Sequence, residues 1–259
     1  MIIGAMNHPK RDIIEEIRWM ADLGLDFVDL TLEPPAAASW NANPDKIRAE
    51  LSKHNLQVVG HTAYYLPMAS PMEEVRKAAV VEFKRCLEVF SRVGAKWMNI
   101  HPAAYAPMHE LDYIIGQNLK TLLELQDCCS SLGVGLMVEN LPGDFNTVAQ
   151  LGPLLDQVPG LGLHLDIGHC NLRTEHNTAT ELIDRYSDRI QHVHIHDNKG
   201  GYADLHLALG AGTMDWRRHI QHLKRSGYDH TITLEVFSED HHYLEYSRDL
   251  LRAEWNKSN

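Results

Sequence analysis

The chain has 259 residues, 44% of them hydrophobic, so it is long enough to bury a large core. Its 24 Lys and Arg against 35 Asp and Glu give a formal net charge of -11, which excludes a general attraction to polyanions but leaves room for a locally positive site. No apolar run approaches the roughly 18 residues of a membrane span, the cysteines form no CxxC pair and the first residues lack a signal-peptide pattern, so we expect a cytoplasmic protein with reduced thiols and no membrane partner.

Short β-like runs alternate with stretches of helical periodicity along the chain. In chain order the predicted strands are "IIGAM", "FVDLTLE", "QVVGHT", "KWMNIHP", "GLMVEN", "LGLHLDIGH", "IQHVHIHD" and "TITLEVF". The predicted helices lie at about residues 10–23, 44–54, 71–93, 109–132, 146–157, 176–187, 214–225 and 241–255. Gly24, Gly94, Gly133 and Gly227 stand near the ends of predicted helices, where glycine favours a left-handed cap before the next strand.

Eight strand-helix units follow one another without a break in composition or a Pro, Gly or Ser-rich linker. This pattern predicts a single α/β domain over residues 1–259, folded as a (β/α)8 TIM barrel. A doubly wound open sheet also alternates strands and helices, and it stays open as the second interpretation.

Alternation along the strands sorts their side chains between the barrel interior and the helices. In "QHVHIHD", Val193 and Ile195 share one face, and three histidines share the other. In "LGLHLDIGH" the leucines face the helices, so His164 and Asp166 point inward. The same reading turns further polar side chains inward: Asn99, His101, Glu139, Thr233 and Glu235. Polar groups therefore gather near the carboxyl ends of the strands, where barrel enzymes build their active sites.

Nine of these and neighbouring loop residues are candidate metal ligands. They are His61, His101, Glu139, Asp166, His169, His194, Asp204, His206 and Glu235. A mixture of imidazole and carboxylate without cysteine suits Zn²⁺ or Mn²⁺ rather than a soft metal. Nine ligands exceed the needs of one ion, so two or three ions that share bridging carboxylates are predicted. Such clusters act on phosphate esters by activating water.

Nine further histidines receive structural interpretations. His164 and His192 lie deeper on their strands, and we expect both to be hydrogen-bonded core residues. Histidines in helical or turn segments are expected on the surface, namely His54, His176, His219, His222, His230, His241 and His242.

The segment "HIHDNKGGYADLHLALGAG" resembles the H-x-x-D-[ST]-K, D-x-H and LG-x-G elements of endonuclease IV, the family 2 apurinic/apyrimidinic endonucleases, within the wider xylose isomerase-like barrel superfamily. "LDIGH" is similar to the D-T-x-H element of that family, and "IHP" and "VEN" also match. The similarity runs from "GHTAYYLPMA" to "TLEVF". The departures lie largely in loops: Tyr65 and Pro67 differ from the family pattern, and the loop between Lys199 and Asp204 is shorter.

The resemblance implies three metal sites and a substrate. The first site would use His61, His101 and a bridging Glu139, the second Glu139, Asp166, His194 and Glu235, and the third His169, Asp204 and His206. Up to three divalent ions are implied, with Zn²⁺ as the first choice and Mn²⁺ as the second. Abasic-site DNA is the implied substrate. Tyr64 occupies the position where the family places an aromatic residue near the abasic gap, and Lys199 is the predicted basic contact, with Lys10, Arg11 and Arg173 as further basic candidates.

Three functions stay open at this point. The first is a multi-metal phosphoester hydrolase. The second is a sugar or sugar-phosphate isomerase or epimerase with one ion, held by Glu139, Asp166, His194 and Glu235. In it Glu139 and Glu235 move a proton between carbons and His169 binds the substrate. The third is a metal-binding protein without catalysis. For either enzyme Glu139, Glu235 and His169 are the predicted catalytic residues, and no obligatory protein partner is expected.

Overall fold

Eight parallel strands close into a barrel in the computed structural model, which describes residues 1–104 and 108–257. The strands are β1 (Ile2–Met6), β2 (Phe27–Leu32), β3 (Gln57–Thr62), β4 (Trp97–Ile100), β5 (Gly135–Glu139), β6 (Gly162–Asp166), β7 (Ile190–Ile195) and β8 (Thr231–Leu234). The helices are α1 (Ile13–Asp22), α2 (Pro44–His54), α3 (Glu73–Val93), α4 (Leu111–Ser131), α5 (Val148–Gln157), α6 (Ala179–Tyr186), α7 (Trp216–Arg225) and α8 (His242–Trp255).

Each strand pairs in parallel with its neighbours in sequence, and β8 pairs with β1, which closes the barrel at Ile3 and Ile232. The predicted (β/α)8 TIM barrel is confirmed, and the open-sheet alternative is wrong. The extent of the domain, residues 1–259, stays a prediction, because residues 105–107 and 258–259 lie outside the described part of the chain. No described helix combines the length and the apolar character needed to span a membrane.

The strands end up to three residues earlier than the sequence pattern predicts, and this shift matters for the site. His101 follows the last residue of β4, Glu235 follows the last residue of β8, and His169 opens a short 3₁₀ turn after β6. These residues continue the apolar and polar alternation of the strands but already belong to the loops. Candidate ligands therefore stand at the rim of the barrel, where the backbone turns toward the helices.

Local backbone signals in the sequence are borne out. Gly24, Gly94, Gly133 and Gly227 have φ angles of 68, 93, 67 and 91°, the left-handed region in which glycine carries no side-chain penalty. The Asp12 side chain accepts from the backbone N–H groups at the start of α1. These residues mark the ends of α1, α3, α4 and α7 and the start of α1.

The barrel interior changes from apolar to polar along the strands. At the amino-terminal end, Phe27, Val59 and Met137 pack together, with Ile2 and Trp97 against them. Further along, the inward positions carry buried polar side chains, among them Asp29, His61, Asn99, Glu139, His164, Asp166, His192, His194 and Thr233. The predicted inward and outward alternation is therefore confirmed, and the apolar floor supports a polar layer above it.

The prediction for one histidine of the outer helices, His219, is wrong. His219 was expected on the surface, yet it is buried on α7 beside Trp216, Ile220 and Leu223. These residues recur at helical spacing and form the stripe of α7 that faces the barrel. The burial of His219 is therefore set by its position on the helix rather than by its residue type. The other six histidines predicted on the surface are half-buried or exposed.

Candidate metal centre

A cavity of about 990 Å³ opens over the carboxyl ends of the strands. Seven of the nine predicted ligands line it, namely His61, His101, Glu139, His169, Asp204, His206 and Glu235. The other two, Asp166 and His194, are fully buried beneath it. The structure thus brings the predicted ligands to one place, although they lie far apart in sequence.

The first group of ligand atoms joins β3, β4 and β5. His61 Nε2 lies 3.2 Å from His101 Nε2, and His101 Nε2 lies 2.9 Å from Glu139 Oε2. His61 Nε2 is 3.9 Å from the same carboxylate oxygen. Asn99 donates to Glu139 Oε2 at 2.6 Å and holds it in place. Two imidazole nitrogens and one carboxylate oxygen therefore converge on one point, as the resemblance implied for the first metal.

The second group differs from the implied one. One ligand atom each of Asp166, His169, His196 and Glu235 lie within 4.8 Å of one another. His194 reaches this group only through Glu235, whose Oε2 lies 3.4 Å from its Nδ1. His194 is the residue of β7 paired with Asp166, but the nitrogen that approaches the Asp166 carboxylate is Nε2 of His196, just after the strand, at 3.7 Å.

The third group forms around Asp204. Its Oδ2 lies 3.3 Å from His169 Nε2 and 3.2 Å from His206 Nε2, while Oδ1 lies 3.5 Å from His196 Nε2. His206 has a φ of 45°, a conformation uncommon for a residue with a side chain and often found at functional sites. The implied third set is brought together, with His196 as an additional member.

Burial and neighbouring charges set the protonation of these groups. Burial lowers the pKa of His101, which keeps the imidazole neutral and able to act as a ligand. Burial opposes ionisation of Glu139, but the imidazoles of His164 and His101 hold the pKa of this carboxyl well below its ordinary value. Burial raises the pKa of Asp166, and the nearby Glu235 and Glu139 carboxylates act in the same direction. Burying several carboxylates close together is unfavourable, and a bound cation would compensate their charge.

The residues fit divalent cations on two counts. Asp166 Oδ2, His194 Nδ1, His196 Nε2 and Glu235 Oε2 are buried without a hydrogen-bond partner among the described residues. Buried polar atoms without partners are costly, and these four face the ligand groups. The donors are imidazole nitrogen and carboxylate oxygen without thiolate, the set preferred by Zn²⁺ and Mn²⁺.

Sequence reasoning missed four members of the centre. His196 and Asn99 were placed on the inner face but given no part in the site. His164 was expected to be a hydrogen-bonded core residue, which is wrong: neither ring nitrogen has a hydrogen-bond partner in the described structure, and Nδ1 lies 3.1 Å from Glu139 Oε2. Asp29 was given no role. The signal that could have found it is an acid on the inner face of a strand.

Of the two predicted substrate-binding residues, only Tyr64 lines the cavity. Tyr64 lines the cavity, with 63% of its surface exposed and its ring centroid 6.5 Å from that of His101. Lys199 is exposed and does not line the described cavity, whereas Arg11 and Arg173 do. The substrate-binding role of Tyr64 stays a prediction. The basic groups best placed to contact a substrate in this cavity are the two arginines.

We expect a Gly168→Ala variant to weaken metal binding about 10- to 100-fold, by disturbing the orientation of a ligand. A Cβ atom at this position would lie 2.2 Å from His196 Nε2 and 2.4 Å from its Cδ2, so the ring must move away from Asp166 and Asp204. Chelator competition measures the effect. Gly116→Ala is the matched control, because nothing lies within 4 Å of the added atom there. Unchanged metal affinity in Gly168→Ala would contradict a role for His196 in the centre.

A closed (β/α)8 barrel with histidines and carboxylates clustered at its carboxyl-terminal rim defines the class of metal-binding barrel enzymes. Within that class, the chain belongs to the Xylose isomerase-like TIM barrel family, which it matches over residues 17–254.

Relatives in sequence fall into three kinds. The uncharacterized protein MJ1311 of Methanocaldococcus jannaschii is 31% identical over 194 residues, which are 71% of this chain and 65% of that protein. The ketose 3-epimerase of Arthrobacter globiformis is 24% identical over 84% of this chain and 75% of its own length. The probable endonuclease 4 of Aquifex aeolicus is 22% identical over 96% and 92%. The family thus includes both sugar epimerases and endonuclease IV-like hydrolases.

Solved structures share the fold. A D-tagatose 3-epimerase-like protein superposes with a TM-score of 0.86 at 23% identity, covering 98% of this chain and 97% of that one. The IOLI protein, solved with a bound zinc atom, superposes with a TM-score of 0.82 at 18% identity, over 98% and 96%. At these identities the likeness establishes the fold and leaves the reaction to the site itself.

Proposed function

We propose that this enzyme is a multi-metal hydrolase of phosphate esters. The observation that carries the proposal is the number of converging ligand groups. His61 and His101 meet at Glu139, and His169 and His206 meet at Asp204, on either side of the buried Asp166 and Glu235. An enzyme with one ion needs about four ligands. The two outer groups exceed that need, and they fit the demands of a second and a third ion.

Glu139 supports the sharing of ions between groups. Its Oε2 lies 2.9 Å from His101 Nε2, and its Oε1 lies 3.5 Å from His169 Nδ1. The two oxygens of one carboxylate therefore face two different ligand groups, which is the arrangement of a bridging ligand. Divalent ions, when bound, supply activated water and neutralise charge on a phosphoryl group. Zn²⁺ is the proposed ion, with Mn²⁺ as the alternative.

His169, in the wall of the cavity, has a different role in each of the two candidate reactions. His169 Nδ1 donates to the carbonyl oxygen of Asn140 at 2.9 Å, and its Nε2 faces Asp204 at 3.3 Å. Its pKa is raised well above the ordinary value, because the carboxylates of Asp166 and Asp204 outweigh the opposing effect of burial. In the hydrolase His169 would hold the third ion through Nε2 and would carry no proton there. In a one-ion enzyme it would keep that proton and bind the substrate.

The substrate we propose is a small phosphate ester rather than DNA. Arg11 and Arg173 are the two arginines that line the cavity, whereas its described walls also include Glu16, Glu33, Glu139, Asp204, Glu235, Glu239 and Asp240. With a net charge of -11 as well, the chain offers little of the phosphate-backbone attraction on which DNA affinity rests. A single phosphoryl group needs only local compensation by an arginine and the ions.

A sugar or sugar-phosphate epimerase is the second candidate, and the comparisons support it at least as well. Glu139 and Glu235 both line the cavity, Glu139 as the last residue of β5 and Glu235 as the first residue after β8. Two such carboxylates are what proton transfer on opposite faces of a sugar carbon requires. In this reading one ion suffices, and the outer groups contact the substrate.

Metal content and a substrate panel separate the two functions. The hydrolase predicts more than one tightly held ion per chain by elemental mass spectrometry after purification without chelators, together with release of inorganic phosphate from small phosphate esters. The epimerase predicts one ion, and deuterium from D₂O incorporated into a ketose. A duplex with one abasic analogue completes the panel, and efficient incision of it would contradict the small-substrate proposal. One ion and no phosphate release would overturn the hydrolase.

A further inference from the structure

Asp29 is a fully buried carboxylate in the middle of β2, on the inner face of the barrel. It lies below the cavity and does not line it. Burying a carboxylate is costly unless several donors satisfy it. Its neighbours come from three other strands, and two of them are predicted metal ligands.

One oxygen of Asp29 is a hydrogen-bonding hub. Oδ2 lies 2.6 Å from His194 Nε2, accepts from the Thr233 hydroxyl at 2.9 Å, and lies 3.2 Å from His192 Nε2. The other oxygen, Oδ1, lies 3.5 Å from His61 Nδ1. The imidazoles of His61, His192 and His194 hold the pKa of Asp29 well below its usual range despite burial.

The contact with His194 determines which of its nitrogens is free. A carboxylate oxygen can only accept, so Nε2 of His194 carries a hydrogen, and Nδ1 is the ring nitrogen left for a cation. That Nδ1 points to Glu235 Oε2 at 3.4 Å and has no hydrogen-bond partner in the described structure. Asp29 thus turns the ligand nitrogen of His194 toward the second group.

His61 lies beside the same acid, with Nδ1 3.5 Å from Asp29 Oδ1, although neither atom has a hydrogen-bond partner in the described structure. Its Nε2 faces His101 and Glu139 in the first group. The rings of His61 and His194 stack with their centroids 5.3 Å apart, so the two imidazoles contact the same carboxylate side by side. One acid beneath the cavity therefore contacts His61 of the first group and His194, which borders the second group through Glu235.

We propose that Asp29 is a positioning residue that orients His194 and His61 together for binding divalent cations. Carboxylates that hold ligating histidines fix both the tautomer and the ring direction. Three donors already surround Oδ2, and Oδ1 has no hydrogen-bond partner in the described structure. The proposal rests on the metal centre of the proposed function, but not on the reaction carried out there.

The test is Asp29→Asn in the full chain, with Zn²⁺ affinity measured by chelator competition and ions counted by elemental mass spectrometry. We expect affinity to fall about 10- to 100-fold, the usual effect of losing the acid behind a ligating histidine. Because Asp29 contacts His61 in the first group and His194 beside the second, the binding of more than one ion should be weakened. Thr233→Val is the matched control: it removes a donor to the same oxygen without touching a proposed ligand, so its Zn²⁺ affinity should stay within about threefold of wild type.

A second measurement keeps the proposal testable if the variant does not fold. Long-range ¹H–¹⁵N spectra of the metal-free wild-type protein report the tautomer of each imidazole. We expect His194 with hydrogen on Nε2 and, where the ring is neutral, none on Nδ1. Hydrogen on Nδ1 alone would overturn the proposal. So would wild-type affinity in Asp29→Asn, or equal losses in both variants, which would indicate a packing role. Phosphate release has no part in this test, so failure of the hydrolase proposal stays distinguishable.

Discussion

A Glu139→Gln variant is expected to lose at least about 10³-fold in turnover, whichever of the two reactions the enzyme performs. Glu139 is buried at the end of β5, and its two oxygens face His101 at 2.9 Å and His169 at 3.5 Å. As a bridging ligand it would lose its charge between two ions. As a proton carrier it would lose its basic group. Steady-state rates on both phosphate esters and ketoses measure the effect.

The amide keeps the shape of the side chain, so the fold should survive. It also keeps one acceptor oxygen for the Asn99 amide, which donates to Glu139 Oε2 at 2.6 Å. Thermal unfolding of the metal-free variant should therefore stay close to wild type, and metal content should fall. If the folded variant retains most of its activity, Glu139 only orders the barrel rim and both catalytic assignments fail.

The second large effect is expected for His101→Ala, and it separates the two reactions. His101 belongs to the outer group with His61 and Glu139, at 3.2 Å from His61 Nε2. In the hydrolase, loss of this ligand should remove one ion per chain and lower phosphate release by about 10²-fold or more. In a one-metal epimerase the ion stays in place, since none of its four ligands has changed.

His54→Ala is the control for removing a histidine away from the centre. His54 lies at the end of α2, half-buried beside Glu50 at 3.1 Å, and does not line the cavity. It should leave both metal content and rate near wild type. Unchanged rates and a full set of ions in His101→Ala would refute the multi-metal mechanism and favour the epimerase.

The identity of the metal-binding face was readable from sequence because strands alternate with a period of two. Once "LGLHLDIGH" and "QHVHIHD" are strands of a barrel, their leucine, valine and isoleucine residues must face the helices, and the histidines and Asp166 must face inward. The eight repeats, the glycine caps and the inward acids all follow from such local patterns. These features depend on neighbours within a few residues.

Only the tertiary structure decided which candidate ligands lie together in one group. His192 and His194 lie on one face of β7 and His196 continues that face after the strand, and depth along the strand set His192 apart but could not place His196 among the ligands. Their partners come from other elements: Asp29 of β2 contacts His194 over a separation of 165 residues, and Asp204 reaches His196 from the loop after β7. Register and ring direction depend on strand pairing and on hydrogen bonds from distant strands. The sequence by itself therefore determined the barrel and the chemistry of its rim, while the closure of the barrel decided the ligand groups and brought Asp29 beneath them.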